Sequence, residues 1–216
     1  MKLPLSTPKT TPGEYHYSSA EAAHTSGYLW KPILAHCARA GAKRVLDLGC
    51  GNGALCSELV KAGYSAVGCD PSGEGIRVAT ESVPGASFKQ LGVDDDPSAL
   101  GERDFDVVVS AEVVEHLAMP RNLPRFASEV LRPGGLLIVS TPYHGYLKNL
   151  VLSLTNKWDD HLSPFWDGGH IKFWSRKTLT KLVEEEGFRV TQFIGAGRLP
   201  FLWMSMILVA EKRQGA

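Results

Sequence analysis

The chain has 216 residues, of which 44% are hydrophobic and 21% charged, values typical of an ordinary globular protein large enough for one domain. Its 23 lysine and arginine residues balance 23 aspartate and glutamate residues, so the formal net charge is zero. Proteins that bind the phosphate backbone usually carry a basic excess, which argues against general nucleic-acid binding. The sequence contains no transmembrane segment, since no stretch reaches the roughly 18 apolar residues that span a bilayer. It leaves the oligomeric state open.

Cysteine usage and the first residues indicate a cytoplasmic protein. The four cysteines form no C-x-x-C pair and are interpreted as reduced thiols. The first residues, MKLPLSTPKTTPGEY, lack the apolar core of a secretory signal. Because the spacings of metal ligands are absent, we expect no metal site.

Strands and helices alternate along most of the chain. The predicted strands cover 44–48, 65–69, 86–90, 105–110 and 136–141, with two closing strands over 188–194 and 203–210. The predicted helices cover 20–40, 54–61, a segment beyond Pro71, 122–131 and 175–186, and a turn is expected at Pro133–Gly134–Gly135. This alternation predicts a doubly wound, mostly parallel α/β sheet. We predict a single domain over 1–216, with a flexible tail over 1–14 and a helical cap over 15–40.

An aromatic-rich stretch over 142–174 interrupts this alternation and is the candidate for a lid on the substrate side. An additional hydrophobic cluster or a dimer contact is the alternative interpretation. Within it, the apolar run 146–154 could touch a membrane surface or a lipid-like substrate, but such a short run is more often a buried helix.

A glycine-rich turn lies between a predicted strand and a predicted helix, in the sequence VLDLGCGNG from Val45 to Gly53. Gly49, Gly51 and Gly53 allow the backbone to turn sharply and to approach a ligand closely. The helix that follows offers free backbone N–H groups. Asp70 ends the second strand about 20 residues after the first glycine, where nucleotide-binding α/β folds place an acid on the ribose hydroxyls.

The glycines alone do not identify the cofactor, because together with Ala54 they also fit the dinucleotide fingerprint of an NAD-linked oxidoreductase. Asp47 favours a different ligand. A carboxylate two residues before the first glycine can receive the ammonium of a cationic amino-acid ligand, directly or through water, whereas a pyrophosphate gains nothing from it.

Between Val45 and Thr141 the chain resembles class I S-adenosylmethionine-dependent methyltransferases, and VLDLGCGNG looks like their motif I. VGCD, FDVVVSAEVVEHL and LRPGGLLIVSTP follow in the order of that family. The tail GHIKFWSRKTLTKLVEEEGF is similar to small-molecule O-methyltransferases of the quinone-biosynthesis type. The resemblance implies a Rossmann-like sheet with an antiparallel last strand and helices on both faces. It also implies S-adenosyl-L-methionine as cofactor and S-adenosyl-L-homocysteine as product.

The resemblance also implies which residues contact the cofactor. The matching positions are Gly49, Cys50, Gly51 and Gly53 for the methionine part, Asp70 and Pro71 for the ribose and adenine, Val93 and Asp94 beside the adenine, and Ala111 and Glu112 on the methyl side. Asp95 and Asp96 compete with Asp94 for its role, and all three acids are also compatible with a solvated turn.

Transfer to a hydroxyl group needs a base, and two histidines are candidates. His170 ends the DGGH turn of the predicted lid and matches a histidine of the similar tail. His116 follows the fourth predicted strand, at the edge where ligands bind, although a structural histidine is the alternative. Further candidates for the substrate side are Tyr143, His144, Trp166, Tyr17 and His24.

The sequence therefore predicts methyl transfer from S-adenosylmethionine to a small-molecule acceptor, with a hydroxyl oxygen favoured. Carboxylate, phosphonate, nitrogen and carbon acceptors remain open. An NAD-linked oxidoreductase and a cofactor-binding protein without catalysis are the alternatives.

Overall fold

The computed structural model describes residues 25–162, 164–166 and 169–213, so the predictions for Tyr17, His24 and the N-terminal tail lie outside the described residues. The strands are β1 (Arg44–Leu48), β2 (Ser65–Asp70), β3 (Ser87–Gln90), β4 (Phe105–Ala111), β5 (Leu131–Pro142), β6 (Phe188–Ala196) and β7 (Ser205–Lys212). The helices are α1 (Ser26–Arg39), α2 (Ala54–Lys61), α3 (Gly73–Ser82), α4 (Asn122–Val130), α5 (Tyr146–Leu154), α6 (Trp158–Leu162) and α7 (Arg176–Glu185). Short 3₁₀ turns lie at Pro97–Leu100 and Val114–His116.

The strands form one seven-stranded sheet in the order β3-β2-β1-β4-β5-β7-β6. Pairing is parallel from β3 to β5, and β7 is antiparallel to both of its neighbours. The mostly parallel sheet with an antiparallel last strand is therefore confirmed. The strand order reverses between β1 and β4, and ligands bind at the carboxyl edge of such a switch point.

The core divides between the two faces of this sheet. Val107 and Val109 of β4 pack with α1 and α2 on one face, whereas Val108 packs with α4 and α7 on the other. Because side chains alternate along a strand, a continuous apolar run such as FDVVVSA must be buried on both sides. Because β4 is the central strand and is buried on both faces, the segment after Ala111 lies at the centre of the carboxyl edge of the sheet.

The expected turn at Pro133–Gly134–Gly135 is wrong as an element boundary, because β5 begins at Leu131 and continues past it. Phe105 pairs with Leu131, but Val107 pairs with Leu136, so residues 132–135 are looped out of the register. Gly134 takes a φ of 71° within this irregularity. The glycines thus produce a bulge inside a strand instead of starting it.

The apolar run 146–154 forms helix α5, but the expectation that this helix is buried is wrong, because none of its residues is buried. Tyr146 is 84% exposed and Leu154 is 77% exposed. One side of α5, with Lys148, Val151 and Leu152, faces a cavity instead of a packed core. Among the described residues, no helix has the length and apolar character to cross a membrane.

Candidate active site

A cavity of about 1980 Å³ opens at the carboxyl edge of the sheet. Its walls come from the segments that follow β1, β2, β3, β4 and β5 and from the connection between β6 and β7. Most of the predicted cofactor residues line it, namely Asp47, Gly49, Cys50, Gly51, Asp70, Pro71, Val93, Asp94, Ala111 and Glu112. The topology therefore brings together residues that are far apart in the sequence.

The glycine turn needs glycine for conformation and for space. Gly49, Gly51 and Gly53 have backbone φ values of 90°, 52° and 77°, a region that residues other than glycine rarely occupy. A Cβ added to Gly49 would lie 2.4 Å from Val113 Cγ2, so Val113 occupies the space that a side chain would need. Gly53, which does not line the cavity, begins α2 and packs near Phe88. A side chain at Gly53 would therefore clash with its neighbours, and the predicted contact of Gly53 with the cofactor stays a prediction.

Asp70 is fixed by the backbone on both sides. Gly51 N–H donates to Asp70 Oδ2 at 2.9 Å, and Ser72 N–H donates to Asp70 Oδ1 at 2.9 Å. Burial raises the pKa of Asp70, and these two hydrogen bonds oppose that rise. Each carboxylate oxygen has a second lone pair, so Asp70 can still accept hydrogen bonds from a ligand.

Asp47 is 2% exposed and accepts a hydrogen bond from Cys56 Sγ at 3.6 Å. Burial raises the pKa of Asp47 to about 7. Within the described part of the chain, neither Asp47 nor Asp70 forms an ion pair with a basic side chain. Two adjacent buried carboxylates without a cation are a site that a positively charged ligand would stabilise.

The three aspartates in the turn after β3 have different surroundings. Asp94 and Asp95 line the cavity, whereas Asp96 caps the 3₁₀ turn by accepting from Ser98 N–H at 2.8 Å. Asp95 accepts from Gly92 N–H at 2.8 Å, and Asp94 accepts from Asn122 Nδ2 at 2.8 Å. Asp94 and Asp95 are therefore placed to face a ligand, and Asp96 is not.

Glu112 follows β4 with a φ of 57°, an unusual conformation for a residue with a side chain. Its carboxylate accepts hydrogen bonds from Ser140 Oγ at 2.8 Å and Ser205 Oγ at 3.1 Å, and Tyr28 Oη lies 3.2 Å from Ser205 Oγ. Burial raises the pKa of Glu112 to about 7, against the opposing effects of these serines and Lys148. These hydrogen bonds hold Glu112 in place at the carboxyl edge of the sheet, directly after β4.

His116 and His170 lie against each other in the wall of the cavity. Their ring centroids are 4.8 Å apart, and each Nε2 lies 4.0 Å from Glu115 Oε1. Trp166 packs against both rings, at 5.7 Å from His116 and 5.4 Å from His170. The two predicted bases therefore occupy one site.

Hydrogen bonding assigns the proton on His116. Its Nδ1 lies 3.2 Å from the carbonyl oxygen of Gly169, which can only accept, so Nδ1 carries the proton. In the neutral ring the lone pair is then on Nε2. The pKa of His170 is lowered to about 4, mainly by burial and then by His116, so His170 is neutral and weakly basic at neutral pH.

Glu115 was not identified from the sequence. It is 1% exposed, and neither carboxyl oxygen has a hydrogen-bond partner in the described part of the structure. Burial, and next the nearby Glu112, raise its pKa well above the ordinary value. Its backbone oxygen accepts from Ile171 N–H and Lys172 N–H, both at 3.0 Å, which attaches the segment around His170 to the 3₁₀ turn after β4.

Glu115, His116 and His170 also form a group that could hold a metal ion, with ligand atoms within 4.8 Å of one another. Local spacing could not indicate this group, because His170 is distant in sequence from Glu115 and His116. The absence of a metal stays a prediction.

Of three other residues predicted for the substrate side, one lines the cavity and two pack elsewhere. Trp166 lines the cavity, but Tyr143 and His144 do not. Tyr143 packs on Trp203, with ring centroids 5.1 Å apart, and His144 is buried against His161 and Phe173. Tyr143 and His144, the first residues after β5, thus pack against neighbouring aromatic residues and do not line the cavity.

The sequence profile of the methyltransferase domain family matches residues 22–193. The chain belongs to this family.

Curated relatives of this methyltransferase-family chain include ubiquinone biosynthesis O-methyltransferases. The protein from Azorhizobium caulinodans is 34% identical over 137 residues, which cover 56% of this chain and 53% of the relative. That from Bradyrhizobium diazoefficiens is 31% identical over 170 residues, which cover 74% of this chain and 64% of the relative. The chain thus spans between about half and two thirds of these relatives.

Solved structures share the fold at low sequence identity. Magnesium protoporphyrin IX methyltransferase from Synechocystis PCC 6803 with bound SAH has a TM-score of 0.63 at 19% identity, covering 85% of this chain and 81% of that chain. The [4+2]-cyclase SpnF has a TM-score of 0.68 at 16% identity, covering 87% and 80%. These similarities confirm the predicted Rossmann-like fold.

Proposed function

We propose that this methyltransferase-family protein transfers a methyl group from S-adenosylmethionine to a hydroxyl oxygen of a small molecule. The observation that carries the proposal is the pair of buried carboxylates, Asp47 and Asp70, on either side of the glycine turn without a basic partner among the described residues. The named activity of the O-methyltransferase relatives supports the same conclusion.

The chemistry of this pair fits the proposed cofactor better than it fits a dinucleotide. Asp70 offers two oriented oxygens for the ribose hydroxyls, and Asp47 offers negative charge to an ammonium or sulfonium. A dinucleotide could also use Asp70 for its ribose, but its pyrophosphate would be repelled by the carboxylate of Asp47. Val113 fills the space beside Gly49 that a side chain would need, so the turn keeps its conformation only with glycine at this position.

S-adenosylmethionine, when bound, would supply a methyl group on a positively charged sulfur: the acceptor oxygen would bond to the methyl carbon in line as the carbon–sulfur bond breaks and S-adenosylhomocysteine leaves. The protein must align the acceptor and remove its proton. We assign proton removal to His116, because its Nδ1 proton is directed to the Gly169 carbonyl, so the lone pair that can accept a proton is on Nε2. The positive charge that His116 gains lies 4.0 Å from Glu115 Oε1.

His170 was the first candidate from sequence, and the geometry favours His116 instead. Burial and the neighbouring His116 lower the pKa of His170 to about 4, so His170 is a weak base at neutral pH, and its ring lies against His116. We assign to His170 and Trp166 the positioning of the acceptor and the exclusion of water from the reaction.

Incubation with S-adenosylmethionine carrying a deuterated methyl group tests the proposed function. A panel of phenols and catechols serves as acceptors, and mass spectrometry detects the labelled methyl ether. We expect a labelled product whose formation requires Asp70 and His116. Cofactor binding without transfer to any acceptor would instead support a non-catalytic protein, and label on nitrogen or carbon would correct the acceptor atom.

A further inference from the structure

Charge is distributed unevenly along the carboxyl edge of the sheet. In sheet order, the segment after β3 and the ends of β2 and β1 contribute acidic residues to the cavity wall, listed here as Asp94, Asp95, Asp70 and Asp47. The segments after β5 and β6 contribute basic residues, Lys148 and Arg198, with His161 of α6 beside them. The histidine pair after β4 lies between these two sides, where the proposed methyl transfer takes place.

Lys148 is directed into the cavity by the geometry of α5. Lys148, Val151 and Leu152 recur at helical spacing and line the wall together. The lysine is half-buried, and its Nζ donates one long hydrogen bond, of 3.4 Å, to the carbonyl oxygen of Met204. Most of the hydrogen-bonding capacity of its ammonium group is therefore left for water or a ligand.

Arg198 lines the same wall from the connection between β6 and β7. It lies close enough to Lys148 to lower the pKa of that lysine, and both cations lower the pKa of His161. Across the described residues, no carboxylate lies within ion-pair distance of Lys148 or Arg198. The acid that influences Lys148 most directly is Glu112, whose oxygens are already bonded to Ser140 and Ser205.

We propose that Lys148 and Arg198 form a subsite for an anionic group, a carboxylate or a phosphate, on the methyl acceptor. This inference rests on the proposed function and adds the class of acceptor. Two cations that share one cavity wall repel each other, and a bound anion removes this repulsion and completes their hydrogen bonding. The subsite also orients the acceptor, because its anionic end is held below α5 while a hydroxyl reaches the histidine pair.

The burial of Lys148 supports the same assignment. Desolvation lowers the pKa of Lys148 to about 8, and the neighbouring Arg198 acts in the same direction. An anion bound between the two cations reverses both effects, so its binding is accompanied by proton uptake near pH 8.

Aromatic ligands of known charge, with and without the hydroxyl groups of an acceptor, test the subsite. Binding of 3,4-dihydroxybenzoate, its neutral amide and phenyl phosphate is measured by calorimetry in protein saturated with S-adenosylhomocysteine. The variants are Lys148→Met, Lys148→Arg and the control Lys157→Met, since Lys157 is exposed and lies off the cavity wall. Thermal melting of each variant verifies that it is folded.

We expect the wild type and Lys157→Met to bind at least one of the two anions about 10- to 150-fold more tightly than the amide, the effect of one charge-assisted contact. Lys148→Met removes this preference, Lys148→Arg retains part of it, and the affinity for S-adenosylhomocysteine is unchanged. No preference for either anion over the amide, or no saturable binding of either anion, would overturn the subsite.

Weaker S-adenosylhomocysteine binding in Lys148→Met, with the acceptor preference intact, would show instead that the cations hold the carboxylate of the cofactor. Failure of the wild type to bind S-adenosylhomocysteine at all would contradict the proposed function itself. The first titration, with the cofactor product alone, therefore separates the two failures.

Discussion

The Nδ1 atom of His116 lies 3.2 Å from the carbonyl oxygen of Gly169, so the segment before His170 determines which nitrogen of His116 is basic. If His116 removes the acceptor proton, His116→Ala lowers kcat by about 10²- to 10⁴-fold, and the affinity for the cofactor changes little. Single-turnover rates with saturating S-adenosylmethionine measure this effect.

His170→Ala is the matched comparison. Since we assign positioning to His170, its loss raises KM for the acceptor more than it lowers kcat. If instead His170→Ala abolishes the chemical step and His116→Ala does not, the roles of the two histidines are reversed.

Gly49 and Gly63 allow a test of the space in the glycine turn, because their φ values, 90° and 88°, are nearly equal. A Cβ at Gly63 would meet nothing within 4 Å, whereas one at Gly49 would meet Val113 at 2.4 Å. Gly63→Ala therefore costs only the left-handed backbone conformation, about 1–2 kcal/mol of unfolding free energy.

Gly49→Ala adds the contact with Val113, so we expect larger destabilisation and the loss of S-adenosylhomocysteine binding. Adding Val113→Ala restores part of the stability. Denaturant unfolding compares the variants, and equal losses in Gly49→Ala and Gly63→Ala would show that Val113 imposes no constraint.

Asp47 makes cofactor binding depend on pH. Its pKa of about 7 in the free protein means that it is mostly protonated below pH 7, whereas a cationic ligand favours the carboxylate. Binding therefore releases a proton, and the affinity rises with pH by up to about tenfold per unit below pH 7. Calorimetry in buffers of different ionisation enthalpy measures the number of protons released. We expect Asp47→Asn to abolish the proton release that comes from Asp47.

His144 makes stability depend on pH in the acid range. Burial, and next Lys148, lower the pKa of His144 to about 4, against an unfolded value near 6.5. Between these values the unfolded chain binds more protons, so stability falls as the pH drops from about 6.5 to 4. The slope from this residue is at most about 1.4 kcal/mol per pH unit.

His144→Gln is the variant for this test, with the difference between its urea-unfolding free energy and that of the wild type plotted against pH. A difference that does not vary between pH 4 and 6.5 would contradict a buried neutral His144.

The sequence allowed the number and the approximate position of the strands to be predicted, since apolar runs bounded by glycine are local signals. The predicted strand 44–48 and helix 54–61 coincide with β1 and α2. The bulge at 132–135 was missed, because only pairing with β4 shows that Leu131 already belongs to the strand.

The site was predicted less completely than the fold. The cofactor candidates follow β1, β2 and β4, so topology alone places them at one edge. Glu115 was missed because its neighbours in the sequence do not show that it is buried, and its contact with His170 depends on the path of a long connection. The cavity-facing position of Lys148 depends in the same way on the direction of α5.

The measurement that tests the central claim most directly is calorimetric titration of S-adenosylhomocysteine into the wild type and Asp70→Ala, with NAD as a competing ligand. We expect micromolar binding to the wild type, no binding of NAD, and a loss of about 10- to 150-fold in the folded Asp70→Ala variant. Tight binding of NAD without binding of S-adenosylhomocysteine, or unchanged affinity in Asp70→Ala, would contradict the account.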